Sequence, residues 1–267
     1  MSPLIKAAIL GILQGVTEFL PISSTAHLLI GERALGFDDP GGVFTVMIQL
    51  GSILAVMWLY REKLIAVLIG LPSRPEARRF ALMVGLATMP ALIAGALFST
   101  FVKSVLYGSV VVIALASLVG GVVILLVERF RPKPDALDVN TLPVGRALAI
   151  GSFQVLALIP GVSRSGGTIV AAMAMRVDRA AAAEFTFFLA MPTMAAAFVH
   201  DLLKVRPDLG SARGLEIAIG FVMAFVASAL VVKPFLNYVR RSGFAPFAWY
   251  RIVCGLALLA AAASGWM

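Results

Sequence analysis

A shortage of charge constrains this chain more than any other feature: 13% of its 267 residues are charged and 60% are hydrophobic. A soluble domain carries about 25% charged residues. A chain this poor in charge cannot cover a water-facing surface, so much of its exterior must face lipid. The sequence therefore predicts an all-α polytopic membrane protein that forms one membrane domain over residues 1–267.

Six stretches are apolar and long enough to cross a bilayer, which takes about 20 residues per helix. They are residues 43–60, 80–98, 106–127, 185–203, 215–236 and 247–264. Two further stretches, 4–35 and 146–175, are largely apolar but are interrupted near their centres by proline and hydroxyl residues. Such breaks at membrane depth survive only where protein or a polar cavity satisfies the freed backbone groups. Each is therefore predicted to be a re-entrant helical hairpin.

The net charge of +8 comes from Lys and Arg residues in short segments between the apolar stretches, as orientation signals do. With Arg164 set aside, fifteen of them lie in regions 61–79, 128–184 and 233–251, which ends at Arg251, and six lie elsewhere. The positive-inside rule places the richer side in the cytoplasm. No basic stripe is interleaved with aromatic residues, so nucleic acid is not an expected partner.

A weak internal repeat agrees with this arrangement. At a separation of 140 residues, Gly11, Gln14 and Ser23 recur as Gly151, Gln154 and Ser163. Each half, approximately 1–130 and 140–267, would hold one hairpin and three spans. Because three is odd, the second copy is inverted in the membrane. Inverted repeats with discontinuous helices place their binding site near the midplane, between the halves.

The first interruption concentrates polar groups. It contains Gln14, Glu18, Pro21, Ser23, Ser24, Thr25 and His27. Gln14 and Glu18 are four residues apart and share a helix face, as do Ser24 and His27 at a spacing of three. A carboxylate at membrane depth costs about 2.5 kcal/mol or more unless it is compensated, so Glu18 is predicted to be functional. Helix capping would also explain Ser23 or Thr25.

The second interruption has the composition of an anion site. It contains Pro160, Gly161, Ser163, Arg164, Ser165, Gly166, Gly167 and Thr168. Pro160 and Gly161 stop one half-helix, and the start of the next offers free N–H groups to a phosphate. Arg164 adds a planar fork suited to bidentate phosphate contact. The pattern predicts a phosphate-binding site, and it is compatible with Arg164 also neutralising Glu18.

Taken together, the two motifs resemble those of the bacterial undecaprenyl-diphosphate phosphatases, the family associated with bacitracin resistance. The matching residues are Gln14-x-x-x-Glu18, Pro21-x-Ser23-Ser24 with His27, and Pro160-Gly161-x-Ser163-Arg164-Ser165-x-x-Thr168. The resemblance covers essentially the whole chain. It implies a bacterial inner-membrane enzyme that removes the terminal phosphate of undecaprenyl diphosphate, which regenerates the lipid carrier of peptidoglycan synthesis. It also implies a divalent cation, Mg²⁺ or Ca²⁺, and a site that opens to the outer face.

The resemblance also implies roles for individual residues. Glu18 would be the carboxylate associated with the metal or acting as base, and Gln14 would be the second metal-site position, where many members carry Glu. Ser24 would be the nucleophile, with His27 as its acid–base partner, although a metal-bound water could attack instead. The diphosphate would be bound by Ser23, Thr25, Gly161, Ser163, Arg164, Ser165, Gly166 and Thr168.

Two other functions use the same residues. A transporter or flippase of an anionic or lipid-phosphate substrate is the main alternative, because broken helices in inverted repeats are typical of transporters. An intramembrane serine protease would pair Ser24 with His27, but it has no evident use for an arginine beside a phosphate site. Expected partners are a lipid-linked diphosphate and membrane lipid. The small residues Gly120 and Gly121 would permit a homodimer.

Overall fold

The computed structural model describes residues 1–106, 109–205 and 211–264. These residues form eleven α-helices and no β-strand, with an isolated bridge between Ala136 and Val177. The helices are α1 (Pro3–Thr17), α2 (Ser24–Leu35), α3 (Val43–Leu59), α4 (Arg61–Gly70), α5 (Pro75–Phe101), α6 (Val110–Phe130), α7 (Val144–Ser152), α8 (Arg164–Ala174), α9 (Arg179–Val205), α10 (Ser211–Ser242) and α11 (Ala245–Ala263). The predicted all-α class is confirmed.

Five helices in the described part are long and apolar enough to cross a membrane: α5, α6, α9, α10 and α11. They match five of the six predicted spans, although residues 107–108 of the predicted span 106–127 lie outside the described residues. The sixth prediction, 43–60, corresponds to α3, which turns by 72° into α4. Residues 61–70, interpreted above as part of a charged loop, are therefore helical, and α3 and α4 together form a bent sixth candidate.

Each interrupted stretch forms two helices around a short non-helical segment, as the prolines predict. In the first, α1 ends at Thr17 and α2 begins at Ser24. In the second, α7 continues as a 3-10 turn to Leu158, and α8 begins at Arg164. We call residues 18–24 the first break and residues 159–164 the second break, so that each includes the first residue of the helix that follows. Proline supplies no backbone N–H and stops helix propagation in both.

Helices of the two halves pack closely against each other. The helix before the first break, α1, lies on α10, and the helix before the second, α7, lies on α5. Gly11 faces the carbonyl of Gly220, and Gly151 faces the carbonyl of Ala87, so closely that a methyl group at either position would collide. The missing side chains thus let two pairs of backbones touch, which fixes where each break begins.

The contact of α6 with α11 corrects one prediction. A methyl group on Gly121 would lie 2.7 Å from the carbonyl oxygen of Ala248, and one on Gly120 would overlap the guanidinium of Arg251. Both glycines therefore face α11 of the same chain. The interpretation of Gly120 and Gly121 as a surface for a homodimer is wrong, because the close approach that they permit is used inside the protein.

Buried aromatic rings anchor the first break. Phe19, in this break, is fully buried and meets Phe187 of α9 edge to face, with ring centroids 5.3 Å apart. Such a pair contributes roughly 0.5–1.5 kcal/mol beyond the area that it buries. Phe19 directly follows Glu18, so this packing holds the backbone next to the glutamate in place.

Candidate functional site

An ion pair joins the two breaks. Glu18 Oε1 lies 3.0 Å from Arg164 Nη2, and their side chains are 7% and 13% exposed. Glu18 follows the last turn of α1, and Arg164 is the first residue of α8, so two helix ends converge on one spot. The acidic and basic segments, 146 residues apart in sequence, therefore meet, as their composition predicted.

The second carboxylate oxygen of Glu18 accepts two hydrogen bonds from its own half. Ser24 Oγ donates to it at 2.7 Å, and Gln14 Nε2 donates at 2.8 Å. All three side chains are buried. The carboxylate is thus held on one side by a hydroxyl and an amide and on the other by a guanidinium. A serine hydroxyl that donates to a buried carboxylate can pass its proton there when its oxygen attacks an electrophile.

Several predicted residues support Arg164 and the start of α8. Arg164 Nη1 donates to the carbonyl of Thr186 at 3.2 Å, and the hydroxyls of Thr168 and Thr186 are 2.7 Å apart. Ser163 caps α8, because its Oγ accepts from the Gly166 N–H at 3.1 Å. Ser165 donates to the carbonyl of Leu20 at 2.8 Å and so ties the second break to the first.

A pocket with room of about 150 Å³ opens beside the ion pair. Its lining is Glu18, Ser23, Ser24, Thr25, Gln49, Ala157, Ile159, Pro160, Gly161, Ser163, Arg164 and Met194. The polar residues of this lining come from the two breaks, from Thr25 and from Gln49, and its apolar residues are Ala157, Ile159, Pro160 and Met194. Of the predicted site residues, Gln14, His27, Ser165, Gly166 and Thr168 are absent from this lining. They lie behind it and contact the residues that form it, and their predicted roles remain predictions.

His27 points away from the pocket. Its Nδ1 lies 2.8 Å from the carbonyl oxygen of Ser23, and its Nε2 lies 2.7 Å from the Tyr250 hydroxyl. Because a carbonyl only accepts, Nδ1 carries the hydrogen in the neutral ring and Nε2 accepts from the tyrosine. In this arrangement His27 holds the Ser23 turn, whose φ is 69°, a conformation that non-glycine residues rarely adopt.

Two residues of the site were missed in the sequence. Gln49 lines the pocket from α3, and its amide inside an otherwise apolar stretch was the available signal. Arg251 was counted as a cytoplasmic loop residue, but it lies inside α11 and is 1% exposed. That interpretation is wrong: its guanidinium contacts carbonyls of both breaks. A charge five residues into the apolar stretch 247–264 was the sign that it is buried.

No group of three or more His, Cys, Asp or Glu side chains that could hold a metal occurs in the described ranges. The site has one carboxylate, together with amide and hydroxyl oxygens. Gln14 Oε1 is buried and has no hydrogen-bond partner there. Oxygen donors of this kind suit Mg²⁺ or Ca²⁺, and Mg²⁺ commonly takes one or two carboxylates with the rest of its shell from substrate phosphates and water. The chemistry of these donors therefore fits a hard divalent cation.

Fold and site together define a polytopic helical membrane protein with a charged pocket between two broken helices. Comparison with known proteins gives the family. Residues 7–257 match the family described as "Bacitracin resistance protein BacA". The chain is 49% identical over 252 residues to "Undecaprenyl-diphosphatase 1" of Agrobacterium fabrum, which covers 94% of each chain. It is 48% identical to "Undecaprenyl-diphosphatase" of Cereibacter sphaeroides, over 99% of this chain and 98% of the relative. The chain belongs to the BacA family.

Proposed function

We propose that this protein hydrolyses undecaprenyl diphosphate to undecaprenyl phosphate and orthophosphate at the pocket between the two breaks. The observation that carries the proposal is the contact of Ser24, Glu18 and Arg164 in a buried pocket of a BacA-family protein. The Ser24 hydroxyl, which is hydrogen-bonded to the Glu18 carboxylate, provides a nucleophile. The Arg164 guanidinium at the start of α8 provides a phosphate-binding group. The transporter alternative is not favoured, because the relatives are named for a diphosphatase.

The second break binds the diphosphate in this mechanism. Arg164 presents its fork beside the N-terminal end of α8, and both favour an anion. Ser163 and Thr25 also line the pocket and offer hydroxyl donors. The apolar lining residues Ala157, Ile159 and Met194 receive the first isoprene units. The rest of the prenyl chain continues into lipid beside the hairpins.

The first break carries the reaction. Ser24 Oγ attacks the terminal phosphorus, and its proton passes to Glu18 Oε2, 2.7 Å away. The bond from that phosphorus to the bridging oxygen breaks, and undecaprenyl phosphate leaves. Water then attacks the phosphorus of the phosphoserine, the bond to Ser24 Oγ breaks as that oxygen takes the proton back from Glu18, and orthophosphate is released. Arg164 neutralises the charge that builds up on the phosphoryl oxygens. For His27 to act as the acid–base partner, its ring must turn away from Tyr250.

A divalent cation, Mg²⁺ or Ca²⁺, completes the site in this proposal. Glu18 and Gln14 would hold it, the latter through the oxygen that now has no partner. When bound, the cation supplies charge neutralisation on the diphosphate oxygens.

The architecture proposed for this function is six spans and two re-entrant hairpins in an inverted repeat, with halves near 1–130 and 140–267. Three matched features support it. The serines that precede α2 and α8 have φ values of 69° and 71°. The helices before the breaks each pack on a helix of the other half through Gly11 and Gly151. Helices α6 and α11, which end the two halves, pack on each other.

We propose that the protein lies in the bacterial inner membrane with its pocket open to the outer face. Removing Arg251 from the loop count leaves fourteen Lys and Arg on the predicted cytoplasmic side against six on the other. The positive-inside rule then assigns the same orientation as before. An outward-facing pocket would receive the diphosphate where cell-wall polymerisation releases it.

The test is orthophosphate release from a prenyl diphosphate by protein purified in detergent. We expect release that stops with EDTA, returns with Mg²⁺ or Ca²⁺, and falls about 10³-fold in Arg164→Lys, because a point charge replaces the bidentate fork. The matched control is Arg176→Lys, whose side chain is 55% exposed in a loop. Transfer of the lipid across liposomes without orthophosphate release would support the transporter instead.

A further inference from the structure

One buried cation is not used by the mechanism above. Arg251, on α11, is 1% exposed. Within the described ranges it pairs with no carboxylate, and all of its side-chain hydrogen bonds go to main-chain carbonyl oxygens. It donates to Pro21 at 3.1 Å, Gly161 at 2.9 Å, Ala116 at 3.0 Å and Ser117 at 3.3 Å. A charge inside an apolar helix is costly, and one without a counter-ion needs a specific role.

The four carbonyls identify that role. Pro21 belongs to the first break and Gly161 to the second, 140 residues apart, which is the separation of the internal repeat. The other two belong to α6. A single planar guanidinium therefore ties both breaks to α6 and α11. Its five N–H donors are spread over three nitrogens in a rigid plane, whereas a lysine ammonium has three donors on one nitrogen, too few for these four hydrogen bonds.

Two glycines leave room for the guanidinium. A methyl group on Gly120 would overlap Arg251 Nη2, and one on Gly166 would lie 3.2 Å from Nη1. Gly120 lies on α6 and Gly166 on α8, so the guanidinium is enclosed by elements of both halves. Its position is thus set by the backbone around it.

We propose that Arg251 is a positioning residue that sets the distance between Glu18 and Arg164. Glu18 lies three residues before Pro21, and Arg164 lies three residues after Gly161. Because Arg251 holds both carbonyls, it fixes the two short segments on which the reactive side chains lie. Its side chain does not line the pocket. The catalytic consequence of this inference rests on the proposed function, but the structural one does not.

The experiment compares Arg251→Lys and Gly120→Ala with Gly85→Ala, which introduces a methyl group where nothing lies within 4 Å. We expect both site variants to stay monodisperse and to lose about 100-fold in kcat for a prenyl diphosphate, because displacement by about 1 Å suffices for that loss. Gly85→Ala should match the wild type. Since Gly120→Ala acts through Arg251, adding it to Arg251→Lys should lower kcat no further.

Hydrogen exchange gives a readout that does not need activity. In Arg251→Lys, amides of both breaks should exchange faster than in the wild type, while those of α9 stay unchanged. If the wild type releases no orthophosphate, the proposed function fails, and faster exchange in both breaks still supports the positioning role. If folded Arg251→Lys keeps the wild-type kcat and exchange pattern, the inference is overturned. Should Arg251→Lys not fold, the same two measurements on Gly120→Ala decide.

Discussion

The first and second breaks share a backbone and differ in chemistry. Both place a serine with positive φ directly before a helix, at positions 140 residues apart. At the same separation Glu18 corresponds to Leu158, and Ser24 corresponds to Arg164. One break therefore presents a carboxylate with a hydroxyl, and the other presents a cation. Different side chains on a repeated backbone arrangement therefore produce an asymmetric site, with a nucleophile on one side and an anion-binding group on the other.

The glutamines that precede the two breaks differ in the same way. Gln14 donates to Glu18, whereas Gln154, its counterpart, is 3% exposed and has no partner for either amide atom within the described residues. The amide is retained in both halves, but the carboxylate that it serves is present in one. A buried polar group without a partner costs free energy. Gln154 therefore matches Gln14 in the repeat but has no carboxylate to bind.

The largest expected effect comes from replacing Glu18, whose carboxylate accepts the hydrogen bond from Ser24. Glu18→Gln keeps the shape and a hydrogen-bond acceptor for Ser24, but it takes up no proton and carries no charge. We expect kcat to fall about 10³-fold, the order of general base catalysis. The measurement is orthophosphate release at saturating substrate. Glu62→Gln is the control, since that side chain is 92% exposed. A kcat equal to that of the wild type would remove Glu18 from the mechanism.

A smaller effect on activity is expected from replacing the two equivalent glutamines, Gln14 and Gln154. Gln14→Leu removes a hydrogen bond to a charged group, which contributes about 1.5–3 kcal/mol, so we expect kcat to fall at least about tenfold. Gln154→Leu removes only an unpartnered amide. We expect an unchanged kcat and a free energy of unfolding higher by about 1 kcal/mol. Equal losses of activity in both variants would contradict a difference in function between the two breaks.

How much of this could be predicted from sequence depends on how local each signal is. Glu18 and Arg164 were found because a charge in an apolar stretch needs a reason, whatever its partners. Arg251 carries the same signal but lies close to the end of its stretch, so it resembled a loop residue. Its partners are carbonyls of three distant segments, which no spacing reveals. The 72° turn after α3 was also not predicted. The charged residues at the start of α4 suggested a loop, although they and the apolar residues after them form a helix.

The helix caps give the next prediction. Ser163 Oγ accepts from the Gly166 N–H, while Ser23, in the same backbone conformation, makes no capping bond. Ser163→Ala should lower the free energy of unfolding by about 1 kcal/mol more than Ser23→Ala does. Both variants keep a β-carbon at positive φ, so backbone strain cancels in the difference. Thermal unfolding in detergent measures it, and a larger loss in Ser23→Ala would show that its turn is stabilised in another way.

The smallest expected effect lies outside the membrane, in the loop 131–143 that precedes α7 and the second break. Asp135 pairs with Arg146 at 2.6 Å and Arg176 at 3.3 Å. The hydrogen bond from Arg146 lowers the pKa of Asp135 below its ordinary value of 3.8. The folded state thus binds this proton less tightly than the unfolded one, so the stabilisation is complete above about pH 4 and is lost as the pH falls further. Because the pair is exposed and screened, Asp135→Asn should lower the melting temperature by less than about 2 °C at pH 7. The difference between wild type and variant should shrink as the pH falls below about 4, and a difference that grows with acidification would contradict the assignment.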